Sequence, residues 1–172
     1  MSLVIITRCR PEPLRAALES AIRALPDRAE VIVVDGDPLG SARRVVNDVR
    51  ARAPESQLRY EASAAGTCVQ RNIGIDRARG EVVVLIDDDS TVEPGTFDAL
   101  LGAYQDPEVM GATGRVDGPA TRRIGSNPNS RLRWLILGRG RQGTMSSFGF
   151  RNPIVDVAQP RDVEFMPGPL MS

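Results

Sequence analysis

The 172 residues suffice for one domain with a hydrophobic core, and 41% hydrophobic with 26% charged residues is the balance of a soluble globular chain. The formal net charge is zero, which excludes the overall basic field of a nucleic-acid binder. All 22 basic residues are arginines, so histidine and lysine chemistry is excluded, and any reaction rests on carboxylates, guanidinium groups, backbone amides or a thiol.

Cys9 and Cys68 are too few for a disulfide framework or a zinc cluster and read as reduced thiols. No apolar run approaches the roughly 20 residues needed to cross a bilayer. The chain starts on a strand-like stretch without a basic leader. A cytoplasmic location is therefore expected.

Short β-branched runs alternate with helical patterns through the first two-thirds of the chain, which predicts an α/β fold with a mostly parallel sheet flanked by helices. Leu3-Val4-Ile5-Ile6 is apolar on both faces, as a central parallel strand must be. Pro11 and Pro13 suit a helix start; Leu14, Leu18, Ala21, Ile22 and Leu25 form its apolar stripe, and Pro26 stops it. Val31-Ile32-Val33-Val34 predicts a second strand, ending at Asp35-Gly36-Asp37. A helix from about Ser41 to Arg52 follows, then a weaker strand at Leu58-Arg59-Tyr60 and a helix from Gly66 to Ala78. Val82-Val83-Val84-Leu85-Ile86 is the strongest strand signal, and it runs straight into Asp87-Asp88-Asp89. Phe97, Leu100, Leu101 and Tyr104 fall at i, i+3, i+4 and i+7 of a helix after Pro94, and Met110 to Val116 predicts another strand.

From Asp117 to about Asn152 the composition shifts to Gly, Pro, Asn, Ser and Arg, with Trp134-Leu135-Ile136-Leu137 as an apolar island. A loop of this length is functional or lacks fixed structure. Val163-Glu164-Phe165-Met166 predicts a last strand before Pro167-Gly168-Pro169. The expected division is an α/β part over 1–116 and an incomplete loop region over 117–172.

In open α/β sheets, ligands bind beyond the carboxyl ends of the strands. Three such ends carry polar groups: Thr7-Arg8, Asp35 and Asp87-Asp88-Asp89. Three adjacent carboxylates repel one another and favour a cation. Side chains alternate along an extended segment, so Asp87 and Asp89 are expected to face one cavity and Asp88 to face away. Hard oxygen ligands suit Mg²⁺ or Mn²⁺, with phosphate oxygens completing the shell. The competing reading is a helix cap, Asp89-Ser90-Thr91 opening the helix near Pro94.

Four stretches resemble the family 2 glycosyltransferases, enzymes of the GT-A fold that use nucleotide-diphosphate sugars. They are Val4-Ile5-Ile6-Thr7-Arg8-Cys9-Arg10-Pro11-Glu12, Glu30 to Asp35, Gly66 through Arg71-Asn72-Ile73-Gly74 to Ala78-Arg79-Gly80-Glu81, and Leu85-Ile86-Asp87-Asp88-Asp89, the last resembling a D-x-D motif. The likeness covers roughly residues 2–116, with a looser match at Phe165 to Ser172. Ile6, Cys9 and Gly36 depart from it, standing where the family usually has Pro, Asn and a second Asp.

The resemblance implies an inverting, metal-dependent transferase moving sugar from a UDP- or dTDP-sugar to a saccharide or lipid-linked acceptor in cell-envelope polysaccharide synthesis. It implies that Thr7 and Arg8 line the nucleoside pocket, that Asp35 reads the base, and that Arg71 lies beside the base or diphosphate. Asp87 or Asp88 would bind ribose hydroxyls, Asp89 the metal, and the loop around Gly168 would close over the donor sugar. The family's catalytic base follows this loop, beyond Ser172; Asp156, Asp162 and Glu164 lie too early, so no base is assigned. The chain is expected to be C-terminally truncated, with a non-catalytic nucleotide-sugar-binding module as the alternative. Arg115 to Arg151 holds eight arginines and a single acid, Asp117, which suits either a phosphate-bearing acceptor at the inner membrane face or a solvated loop. No G-x-G-x-x-G or G-x-G-T-R loop follows the first strand and no lysine is present, which disfavours a dehydrogenase, a nucleotidyltransferase and a phosphoreceiver domain.

Overall fold

The computed structural model describes residues 1–114 and 170–171. Strands β1 (Ser2–Thr7), β2 (Glu30–Asp35), β3 (Gln57–Ala62), β4 (Val83–Asp87) and β5 (Leu170–Met171) form one sheet in the order β3-β2-β1-β4-β5. The first four are parallel, and β5 runs antiparallel to β4 with Ile86 opposite Leu170. Helices α1 (Pro11–Ala24), α2 (Ser41–Arg52), α3 (Thr67–Arg77) and α4 (Thr96–Ala103) alternate with the parallel strands.

β1 and β2 are buried along nearly their whole length, which is why both read as continuous apolar runs rather than as alternating ones. Leu3, Ile5, Val31, Val33, Val84 and Ile86 share one core with Leu14 and Leu18 of α1, Val45, Val46 and Val49 of α2, and Phe97 and Leu100 of α4. Val4, Ile32 and Val34 point the other way, with Ile73 of α3 packed against them. Each fully buried Val, Leu or Ile contributes on the order of 2 kcal/mol, so this two-faced core is the main stabilising term.

Helix α3 lies tight against β1 at Gly74. A Cβ there would stand 2.2 Å from Val4 Cγ1, so α3 can lie this close to β1 only because the position has no side chain. Proline sets the limits of α1: Pro11 begins it, and Leu25 takes an extended conformation (φ −65°, ψ 137°) because Pro26 follows.

The sequence expectation fails at two places. Residues 110–114 form no strand, and Met110 is 92% exposed, so its apolar character is not an internal one. Tyr104 caps α4 instead of extending it. The arginine-rich stretch, the Trp134–Leu137 island, the Val163–Met166 strand and Gly168 lie outside the described residues. No helix among the described residues is long and apolar enough to cross a membrane.

Candidate functional site

The chain builds β1, β2 and β3 outward in one direction, then places β4 on the opposite side of β1. The crevice between β1 and β4 is therefore the switch point at which an open sheet leaves room for a ligand. Register puts Ile6 opposite Asp87, so Thr7 and the acidic triplet emerge side by side at the carboxyl edge.

An open cavity of about 320 Å³ lies there, lined by Ile6, Thr7, Arg8, Arg10, Thr67, Gln70, Arg71, Asp87, Asp88 and Asp89. Asp88 is its buried anchor, with a side chain 5% exposed. It accepts a hydrogen bond from Thr7 Oγ1 at 2.6 Å and another from Arg10 Nη1 at 2.8 Å. The second guanidinium nitrogen of Arg10 reaches Asp89 Oδ2 at 2.8 Å, and Arg71 Nη2 reaches Asp87 Oδ1 at 3.0 Å. Asp89 stands half in solvent.

Burial pushes the Asp88 carboxyl above the usual carboxylate range; the Thr7 and Arg10 contacts pull the other way, while the charges of Asp89 and Asp87 raise it further. The hydrogen bond to Asp89 and the charge of Asp88 hold Arg10 above the ordinary arginine value, so it stays cationic.

The expected alternation within the triplet does not occur: all three aspartates line the one cavity. β4 ends at Asp87, and Asp88-Asp89 form a turn closed by Ser90 N–H on Asp87 O at 3.1 Å, so the two-residue periodicity of extended chain no longer applies. The helix-cap alternative fails as well, because α4 starts from Gly95 with no side-chain cap.

Asp35 departs most from expectation. It sits at the carboxyl edge of β2 but has no exposed surface and does not line the cavity. Its oxygens accept from the amides of Asp37 at 2.9 Å and Ala42 at 3.1 Å and from Tyr60 Oη at 3.1 Å. The carboxylate thus serves the first turn of α2, where backbone amides lack partners and negative charge is favoured.

Thr7, Arg8, Arg71, Asp87, Asp88 and Asp89 all reach the cavity. Arg10 and Gln70 do so too, without having been singled out in the sequence. Gln70 is 4% exposed, and its Nε2 donates to Thr7 O at 2.7 Å and Val34 O at 2.9 Å, satisfying carbonyls at two strand ends. A Cβ at residue 36 would stand 2.9 Å from Gln70 Oε1, so glycine there leaves the space that Gln70 fills. The available signal was a polar residue four positions before Gly74, on the same inward helical face. Among the described residues no three Asp, Glu or Cys side chains form a group that could hold a metal ion.

The sequence pattern of glycosyl transferase family 2 matches residues 2–153. This chain belongs to that family. It is similar to the succinoglycan biosynthesis protein ExoM of Rhizobium meliloti, with 31% identity over 99 residues that cover 56% of this chain and 32% of that protein. An uncharacterized glycosyltransferase of Nostoc sp. is 24% identical over 104 residues, 60% of this chain and 32% of its own length. The chain thus spans about a third of the length of these curated relatives.

Among solved structures, the mannosyltransferase PcManGT of Pyrobaculum calidifontis, in complex with GDP-Man and Mn²⁺, superposes with a TM-score of 0.64 at 20% identity, covering 73% of this chain and 37% of that one. S. aureus TarS in complex with UDP-GlcNAc gives 0.54 at 19% identity, covering 70% and 37%. The fold is GT-A.

Family membership and geometry together divide the shared motifs by role. Arg71 reaches the cavity, whereas Gly74 and Gly80 serve packing; a Cβ on Gly80 would stand 2.5 Å from the Met1 carbonyl carbon. Arg79 and Gly80 donate their amides to Ser2 Oγ at the opposite edge of the sheet, and Arg79 also to Glu30.

Proposed function

We propose that this chain supplies the donor-binding part of an inverting glycosyltransferase that moves a sugar from a nucleotide diphosphate to a saccharide or lipid-linked acceptor. The observation that carries the proposal is the cavity at the β1–β4 switch point, where Asp87, Asp88 and Asp89 meet Arg8, Arg10 and Arg71. Carboxylates suit sugar or ribose hydroxyls and a hard cation, and guanidinium groups suit phosphate oxygens. A metal-bound nucleotide-diphosphate sugar presents all of these partners together. In support, PcManGT holds GDP-Man with Mn²⁺, and TarS holds UDP-GlcNAc.

The residues fit a divalent metal that takes few protein ligands. Asp89 offers hard oxygens on the open side of the cavity, while Asp88 is committed to Thr7 and Arg10. Mg²⁺ or Mn²⁺ would be held by Asp89 and completed by phosphate oxygens, supplying charge neutralisation for the departing diphosphate. Thr7 and Arg8 line the nucleoside side; Arg71 faces the base or diphosphate, and Asp87 or Asp88 binds ribose hydroxyls. Asp35 has no part in base reading in this proposal, because it is fully buried, holds amides and Tyr60, and does not line the cavity. Residues 117–172, with Gly168 and the arginine-rich stretch, would form the acceptor side and the donor-closing loop, in contact with a lipid-linked acceptor at the inner membrane face. The reaction breaks the bond from the anomeric carbon to the diphosphate oxygen, which keeps the electron pair, as the acceptor hydroxyl oxygen attacks from the opposite face and its proton passes to a general base, a role assigned to no residue of this chain.

Titration calorimetry of the 172-residue chain with UDP, dTDP or GDP in the presence of Mn²⁺ tests the reading. A saturable heat with at least one diphosphate, weakened about tenfold or more by Asp89→Asn, is expected. A folded protein that gives no heat with any of the three overturns the proposal. Sugar transfer measured alongside separates a transferase from a module that binds the donor without turning it over.

A further inference from the structure

Arg10 joins two carboxylates of unequal standing, and the inequality has a consequence. Its Nη1 holds Asp88, 5% exposed, while its Nη2 holds Asp89, 52% exposed, each at 2.8 Å. An ion pair in solvent is screened and contributes little, whereas separating a buried carboxylate from its cation leaves an uncompensated charge. The two halves of the bridge therefore open with very different ease. The Asp88 half is further held in register by Thr7 Oγ1, which shares that carboxylate.

Resting on the donor-site reading above, we propose that Arg10 is a two-position clamp: it stays hinged on Asp88 and, in the donor-free protein, occupies Asp89 in the place of the metal. Metal binding displaces the solvent-side arm from Asp89, and the released guanidinium nitrogen becomes available to a phosphate oxygen of the incoming diphosphate. Metal alone then has to compete with Arg10 for Asp89. Metal arriving with a diphosphate does not pay that cost in full, because the phosphate gives the displaced arm a new partner. Arg10 would thus favour the complete metal–diphosphate pair over either component alone. Both nitrogens of a planar guanidinium are needed, which a single ammonium group cannot supply.

Mn²⁺ affinity, measured by water-proton relaxation on the whole chain, tests this without any turnover. Arg10→Gln is expected to bind Mn²⁺ alone about fivefold more tightly than the unmodified chain, the scale of one exposed ion pair removed. It is expected to bind UDP or GDP with Mn²⁺ more weakly. A merely structural role for Arg10 would weaken both. The gain for Mn²⁺ alone must disappear in an Asp89→Asn background; a gain that persists there reflects the general field of the removed charge and overturns the clamp. Unchanged or weaker Mn²⁺ binding by Arg10→Gln overturns it as well. Should the glutamine variant unfold early, Arg10→Lys keeps a charge beside Asp88 without bridging to Asp89, and the same direction is required of it. Failure of the unmodified chain to bind UDP or GDP with Mn²⁺ would instead remove the donor site itself, and the clamp with it.

Discussion

The two edges of the sheet use the same residue types to opposite ends. At the amino edge, Glu30 has a side chain 6% exposed and accepts from Ser2 Oγ and the Arg79 amide at 2.7 Å each and from Arg59 at 3.0 Å. Ser2 Oγ in turn accepts the Arg79 and Gly80 amides. At the carboxyl edge, the hydrogen bonds described for Asp87, Asp88 and Asp89 come from side chains, and Asp89 is half exposed. Backbone amides cannot leave without local unfolding, whereas arginine side chains can change partners. A carboxylate–arginine cluster tied to amides is thus a lock, and one tied through side chains is an exchangeable site.

The contrast can be broken first at the amino edge. Glu30→Ala is expected to cost about 3 kcal/mol, because it leaves the buried Ser2 hydroxyl without its acceptor and takes one partner each from the Arg79 amide and Arg59; chemical denaturation reads the loss. A cost below about 1 kcal/mol would mean that the edge is not a lock.

Gly74→Ala tests the packing beneath the site. Alanine gains up to about 1 kcal/mol of helix propensity, but its Cβ would meet Val4 Cγ1 at 2.2 Å on a buried, rotationally stiff side chain. Overpacking should win, with a net loss of about 2 kcal/mol. Because α3 carries Gln70 and Arg71, nucleotide affinity should fall along with the melting temperature.

The pH dependence has opposite sign at the two edges. Although burial alone would raise Glu30, the bonds from Ser2, Arg79 and Arg59 outweigh it and hold its carboxyl below the usual value. Its stabilising contribution is present above the unfolded-state pKa and is lost as pH falls through the lower folded value. Asp88, pushed up by burial, favours the protonated fold, so its contribution falls as pH rises from the usual carboxylate value through the raised one. Asp88→Asn, which removes the titrating carboxyl, should therefore abolish this part of the pH dependence, while binding donor less well. Paired unfolding curves at acid and neutral pH would reveal either sign.

The smallest effect is expected at Asp89. Asp89→Asn should change stability by less than about 0.5 kcal/mol, since it loses only a solvent-screened ion pair. A larger loss would place Asp89 with the structural carboxylates and against the donor site.

Much of this was legible in the chain itself. The period-3.6 stripe of α1 and the continuous apolar runs of β1 and β2 report burial directly, because the solvent contrast that orders them is local to each element. Thr7, Arg8 and the aspartate triplet follow from the rule that ligands meet the carboxyl ends of strands, whereas Arg71, inside α3, follows only from the family resemblance. Met110 misled, since a single apolar residue after a helix carries no periodicity to say which way it faces.

What the sequence determined alone is which segments become strands and helices, and that acids and arginines cluster at strand ends. Only the tertiary structure decided which aspartates remain available. Asp35 and Asp88 both stand at strand ends, yet one is buried and held by the Asp37 and Ala42 amides and Tyr60 while the other joins Arg10 over an open crevice. The physical reason is that a side chain's direction beyond a strand depends on the turn and on what packs across it. Those partners, residues such as Tyr60 beside Asp35 or Arg10 beside Asp88, are brought close by the fold and not by any spacing along the chain.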